Sequence, residues 1–409
     1  MVTETLIVNH SAAIGTSEEE LRSASTTRIV KKSVHLMVGI TSDQTCLVLK
    51  NRLRILRMAG FKITLVSSPG RHLLETATAE GVAAKSLPML RGIAPLADLV
   101  SFLRLLWLML WRRPQITDFS TPKAALLGNV AAWILRVPHR VYTLRGLKLE
   151  ATRGWKLKLL LAAERVSCAT AHVVLCNSES LSQKAVILGL APPGKLRLLG
   201  NGSSNGVDTE RFSPGLSDVR RRLCIPDDEP VLGFVGRLTR DKGLVELLQA
   251  FDLILSHEPK AWLLLVGWFD GSDDALDEKW RLRTAVHARI RHVGFVEDTT
   301  PYYRAMDLLI LPTYREGFPN VVLEAAASGI PTIATDCTGA RDSVIDEVTG
   351  LLIPPGNAAA IAEAALELLQ NDPKRKRMGK AARQWALDFY DQRKVLGLAV
   401  DFYRSLLEK

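Results

Sequence analysis

Two α/β domains, each built on a parallel sheet, are what this sequence predicts. Three observations carry that reading. Short apolar runs alternate with longer amphipathic ones along most of the chain, the order expected when helices cover both faces of a parallel sheet. The alternation breaks at 200–214 (GNGSSNGVDTERFSP), where glycine, serine and asparagine mark a loop between domains. The 409 residues suit two cores better than one.

In the first half, 33–40 (SVHLMVGI) reads as a strand. Leucines and basic residues then fall at helical spacing over 46–59, and 61–67 (FKITLVS) is a second strand. A helix over 96–113, a strand over 115–119 and a helix over 123–135 follow. Strands at 140–144 and 172–176 flank a helix at 155–168. Past the break, 230–235, 261–266, 290–294, 308–312 and 331–335 are strand candidates. Asn357 suits the N-cap of a helix reaching Gln370, and more helix runs from about Pro373 to the C-terminus. The chain therefore divides into an extension (1–30), a first domain (31–205), a second domain (206–385) and a terminal helix (386–409) expected to pack back on the first. The extension is rich in Ser, Thr and Glu and reads as loose, neither a leader peptide nor a span. The most apolar run, 105–111, is far shorter than the roughly 20 residues a membrane span needs.

Charge is uneven. Residues 31–200 hold 25 Lys and Arg against 8 Asp and Glu, whereas 201–409 hold 26 against 31. That asymmetry points to an anionic partner for the first half. Lys50, Arg52, Arg54 and Arg57 interleave with Leu47, Leu49, Leu53 and Leu56, and Arg153, Lys156 and Lys158 surround Trp155, Leu157 and Leu159. Basic helices with apolar residues can lie in a membrane interface, so a membrane surface joins nucleic acid and an acidic substrate among the candidate partners. The five cysteines are scattered without C-x-x-C, which argues against a disulfide framework or a cysteine-rich zinc site and for a reducing cytosol. The histidines lack ligand spacing, and Asp270, Asp273 and Asp274 form an acidic loop that reads as solvated. No metal and no cofactor are expected.

Two segments carry chemistry. In Gly233-Phe-Val-Gly-Arg-Leu-Thr-Arg-Asp-Lys-Gly243, a strand runs into a helix; Gly233 and Gly236 allow a tight turn and close approach of a ligand. Arg237 and Lys242 set two cations beside that turn, a fork and a point charge suited to a diphosphate. In 314–329 (YREGFPNVVLEAAASG), Pro319 and Asn320 fit a helix start and Gly329 its stop. Glu316 then lies in the loop before the helix and Glu324 about one turn inside it, beside a helix N-terminus able to hold phosphate. Both segments begin at strand carboxyl ends, where open α/β sheets bind ligands.

The pair G-x-x-x-x-x-K-G (Gly236 to Gly243) and E-x₇-E (Glu316 to Glu324) resembles the family-4 retaining glycosyltransferases with the GT-B fold, two Rossmann-like domains facing across a cleft. The resemblance covers about 33–409; the segments around 200–208 and 338–342 (TGARD) are similar to bacterial members that build lipid-linked surface glycans, often from UDP-sugars. It implies transfer of a sugar from a nucleotide-sugar donor to a lipid-linked or saccharide acceptor, by an enzyme peripheral to the cytoplasmic membrane face, which makes an anionic membrane surface, and not nucleic acid, the expected partner. Arg237 and Lys242 would bind the donor diphosphate and Glu324 the ribose. Glu316, with backbone groups of Gly317, Phe318 and Asn320, would hold the transferred sugar, Gly236 and Val321 would be further donor-binding residues, and backbone near Phe295 would meet the base. Many relatives carry a histidine before a glycine on the acceptor side, where this chain has Arg145-Gly146. Arg145, Thr41 and Lys123 are the acceptor-side candidates. A front-face displacement is implied, with Glu316 as a covalent nucleophile the lesser alternative. A sugar-nucleotide epimerase and a catalytically silent scaffold are the rival functions.

Overall fold

The computed structural model describes residues 33–90, 92–271 and 274–408. The expected extension and Asp273 lie outside them.

The first sheet holds β1 (His35–Gly39), β2 (Lys62–Ser67), β3 (Ala83–Ser86), β4 (Ile116–Ser120), β5 (His139–Leu144), β6 (Val173–Cys176) and β7 (Leu196–Leu198). All neighbours are parallel, in the order β3-β2-β1-β4-β5-β6-β7, with His35 opposite Lys62 and Leu36 opposite Ile116. Alternate residues serve opposite faces. Met37, Phe119 and Tyr142 meet helices Pro95–Arg112, Pro122–Ile134 and Gly154–Thr170 on one side. Leu36, Val38, Ile63 and Val141 meet helices Arg52–Met58, Arg71–Glu80 and the terminal Gln392–Ser405 on the other.

The second sheet holds β8 (Val231–Val235), β9 (Trp262–Val266), β10 (Ile290–His292), β11 (Leu308–Leu311), β12 (Thr332–Thr335) and β13 (Gly350–Ile353), parallel in the order β10-β9-β8-β11-β12-β13. The strand order reverses between β8 and β11. A crevice for a ligand opens at such a switch point, beyond the carboxyl ends of the strands. The loops after β8 and β11 are the two segments singled out by sequence.

The chain crosses between the sheets twice, and the crossings pair. Val207 N–H donates to the Tyr390 carbonyl and Gln392 N–H donates to the Val207 carbonyl, each at 2.8 Å. The Thr209 hydroxyl donates to Asp391 at 2.5 Å.

Three expectations change. The helix over 46–59 is broken into a 3₁₀ turn, Asp43–Leu49, and helix Arg52–Met58, with Asn51 between them at φ 66°. Its leucines 49, 53 and 56 are buried in the first core, so they offer no apolar face to a membrane. Arg52 is buried too; it donates to the Ser204 carbonyl at 2.6 Å and to the Tyr403 hydroxyl at 3.2 Å. Finally, Gly233 serves packing and not ligand approach: a Cβ there would sit 2.0 Å from the Met306 sulfur.

Candidate active site

At the second sheet's switch point, the loop after β8 carries Gly236, Arg237 and Lys242 into helix Leu244–His257. That helix anchors the loop by burying Leu244, Leu247, Leu248 and Phe251. Lys242 Nζ meets Glu316 Oε1 at 2.5 Å, so the two motifs touch although 74 residues separate them. Arg237 donates to Asp270 at 2.7 Å and lies 3.7 Å from Asp241, which also meets Arg315 at 3.4 Å. The result is a chain of alternating charge, Asp270, Arg237, Asp241 and Arg315, alongside the separate Lys242–Glu316 pair.

The loop after β11 leads into helix Asn320–Ala327, capped at Pro319. Asn320 opens that helix, where backbone N–H groups lack intrahelical acceptors. Glu324 lies one turn in. It accepts from the Tyr303 hydroxyl at 2.8 Å. Burial pushes its carboxyl up to about 7, and the Tyr303 hydrogen bond offsets part of that rise. Tyr303 itself is fully buried. Phe318 is buried with its ring against Tyr390, 5.3 Å between centroids, so only its backbone can reach a ligand. Val321 packs on the same core. Phe295 is exposed beyond β10, its ring edge-on to Trp268 at 5.5 Å. Sequence reasoning missed Trp268, an aromatic one residue past a Gly at the end of β9, which is the available signal.

The first domain reaches this loop directly. A Cβ on Gly317 would fall 1.7 Å from the Arg145 carbonyl oxygen, so only glycine permits this approach. Arg145 donates to the Ser204 hydroxyl at 2.9 Å, while its Nε has no hydrogen-bond partner among the described residues. Burial, and then the charge of Arg52, lowers Arg145 to about 10. The segment 338–342 fastens the two domains. Thr338 donates to Glu150 at 2.8 Å, Gly339 N–H donates to the Ser180 hydroxyl at 2.8 Å, and Asp342 accepts from Ser180 N–H at 3.0 Å. Glu316 N–H donates to the Thr338 carbonyl at 2.9 Å, so the loop after β11 hangs on that fastening.

The other acceptor-side candidates are engaged inside the first domain. Thr41 Oγ1 meets Thr121 Oγ1 at 2.7 Å and accepts from Ala124 N–H at 3.2 Å, and Lys123 bridges Asp98 at 2.6 Å and the Gly92 carbonyl at 2.5 Å. No group of three or more His, Cys, Asp or Glu forms a metal-binding cluster among the described residues.

Comparison with known proteins fits this geometry. The family description "Glycosyl transferases group 1" matches residues 217–385, and "Glycosyl transferase 4-like domain" matches 50–202. The chain is 34% identical to the capsular polysaccharide biosynthesis glycosyltransferase CapM of Staphylococcus aureus, over 87% of this chain and 92% of that one. It is 28% identical to the UDP-Gal:alpha-D-GlcNAc-diphosphoundecaprenol alpha-1,3-galactosyltransferase of Escherichia coli, over 67% and 71%. Anabaena HepE in complex with UDP-glucose shares the fold, with TM-score 0.76 and 19% identity over 91% of this chain and 99% of that one. Two facing parallel-sheet domains, the two sequence motifs at a switch point and these matches make the chain a member of the group 1 glycosyl transferases, a family-4-like glycosyltransferase with the GT-B fold.

Proposed function

We propose that the chain transfers a hexosyl or N-acetylhexosaminyl unit from a UDP-sugar to a lipid-linked or saccharide acceptor in surface-glycan assembly. It would act with retention, without a metal, as a peripheral protein on the cytoplasmic membrane face. One observation carries the reading: the Lys242–Glu316 pair and the Arg145–Gly317 contact lie on the same short loop, so donor crevice and acceptor domain meet at one point. Lys242, Arg237 and the N-terminus of helix Asn320–Ala327 would balance the donor diphosphate. Glu324 would accept from ribose hydroxyls, Trp268 and Phe295 would flank the base, and Glu316 would orient the sugar.

In the step itself, the acceptor oxygen bonds to the anomeric carbon on the face from which the phosphate oxygen departs. The acceptor proton passes to that phosphate oxygen, leaving glycoside and UDP. Contact between the domains excludes water from the reacting carbon. The capsular relative supports a role in surface-glycan assembly, and the Escherichia coli relative, which uses UDP-Gal and a diphosphoundecaprenol-linked acceptor, supports the substrate classes. The test is incubation with radiolabelled UDP- and GDP-sugars and a membrane extract. Label is expected in the lipid or glycan fraction from a UDP-sugar. Transfer only from a GDP-sugar, or release of free sugar nucleotide isomer without transfer, would overturn the reading.

A further inference from the structure

The helix Pro95–Arg112 buries one side and leaves the other uncovered by the described residues. Ser101, Leu105, Leu108 and Met109 face the core. Leu96, Leu99, Leu103, Trp107, Leu110 and Trp111 are exposed, Leu96 by 82%, Trp107 by 63% and Trp111 by 70%. Their spacing of three and four residues sets them in one stripe, about 22 Å long at helical rise. Trp107 and Trp111 lie with ring centroids 5.8 Å apart. This helix and its neighbours Pro122–Ile134 and Gly154–Thr170 pack side by side, and those neighbours add exposed Trp133 and Trp155. Contiguous exposed apolar surface of this kind marks an interaction site.

Charge says what covers it. Arg104, Arg112, Arg113, Arg136, Lys156 and Lys158 are exposed along these three helices and their ends. Between 95 and 165 the acidic residues are Asp98, Asp118, Glu150 and Glu164. Asp98 is paired with Lys123, Asp118 and Glu164 are buried, and Glu150 is engaged by Thr338. The outward charge of this surface is therefore positive. Two copies of it would repel, whereas an anionic bilayer would satisfy both the tryptophans and the arginines. The stripe also has a direction. The helix starts after the carboxyl end of β3 and finishes before the amino end of β4, so Leu96 lies toward the cleft end of the sheet and Trp111 at the far end.

We infer that the helix Pro95–Arg112, with Trp133 and Trp155 beside it, is a docking face for an anionic lipid bilayer that holds the cleft at the headgroup layer. The inference rests on the lipid-linked-acceptor reading for its purpose, and on the exposed stripe for its location. It moves membrane contact away from Arg52–Met58, whose leucines are buried.

The experiment is co-sedimentation of the full chain with vesicles of phosphatidylcholine alone, or of phosphatidylcholine and phosphatidylglycerol in equal parts, across a salt series. The parent is expected to bind the anionic vesicles and to release as salt screens the arginines. Trp107→Ser with Trp111→Ser, and separately Arg112→Glu with Arg113→Glu, alter only exposed side chains. Each is expected to lower partition at least about tenfold. UDP affinity, read by calorimetry on the same samples, tests the donor reading separately and is expected to be unchanged. Vesicle binding equal in parent and variants, or a parent indifferent to anionic lipid, overturns the inference. So does a parent that sediments as a dimer and becomes monomeric in the tryptophan variant, because the face then belongs to a second copy. Vesicle binding that needs the stripe upholds the surface even where only a soluble saccharide proves to be glycosylated.

Discussion

Lys242 and Glu316 neutralise one another at 2.5 Å, so a change at either is felt at both. Lys242→Ala leaves Glu316 without its cation and, on the proposed donor reading, removes a charge-assisted contact to the diphosphate. Such contacts are worth about 1.5–3 kcal/mol. Donor affinity measured by calorimetry is expected to fall roughly ten- to a hundredfold, and turnover with it. Unchanged affinity would remove Lys242 from the diphosphate. Glu316→Gln and Glu324→Ala separate the two glutamates. The first is expected to lower turnover while bare UDP binds as before; the second is expected to weaken bare UDP, because Glu324 sits inside the helix over Tyr303. Equal loss of UDP binding in both variants would overturn that division. These residues were legible in sequence because strand-then-motif spacing places them at the carboxyl ends of β8 and β11. Their contact was not, since only the adjacency of β8 and β11 in the sheet brings them together. Tyr303 gave no signal, being one of two adjacent tyrosines in a four-residue helix.

Among the elements, helix Gly154–Thr170 is joined to β5 by a buried hydrogen bond from the Tyr142 hydroxyl to Glu164 at 2.6 Å. Burial pushes Glu164 up to about 7, against an ordinary value of 4.5. Between those values the folded state holds a proton that the unfolded chain has released. Stability is therefore expected to fall as pH rises from about 4.5 through 7, by up to about 1.4 kcal/mol per pH unit for this one proton. Glu164→Gln is expected to flatten that slope in denaturant titrations run across the range, and a slope unchanged by the substitution would assign it elsewhere. The loop after β11 is tested by Gly317→Ala. Its added methyl meets the Arg145 carbonyl, so the domains must part. Turnover is expected to drop about a hundredfold, the scale of a displacement near 1 Å, with UDP affinity retained. Loss of both together would place Gly317 in the nucleotide pocket instead. The long alternating elements were readable because burial on both sheet faces enforces their periods. β3, β7 and β13 were not: Ala83–Ser86, Leu196–Leu198 and Gly350–Ile353, three or four residues each, carry too little pattern to stand out. The break at Asn51 escaped because leucine spacing runs straight through it.

Across the whole molecule, two features bind the halves: the 338–342 fastening at the cleft and the paired crossings at 207 and 390–392. The pairing matters because Gln392–Ser405 returns to the first core. Tyr403 is fully buried there, its hydroxyl donating to Asp118 at 2.6 Å while Asp118 also accepts from Thr143 at 2.7 Å. Arg52, 351 residues away in sequence, meets the same hydroxyl, which is why no local pattern could have shown that Arg52 is internal. The double crossing has a consequence for dissecting the gene. The second domain is an uninterrupted insert within the first, so a cut at each crossing releases it as one contiguous piece. A stop codon after 205 does the reverse: it deletes the helix that covers Leu53, Ile63 and Val141 and strands Asp118 and Arg52 without their phenol. The fragment 33–205 is expected to aggregate, and the same fragment with 392–408 restored behind a glycine-serine linker is expected to fold, as gel filtration and circular dichroism would report. Equal behaviour of the two fragments would mean that the terminal helix is a passenger and not a missing wall.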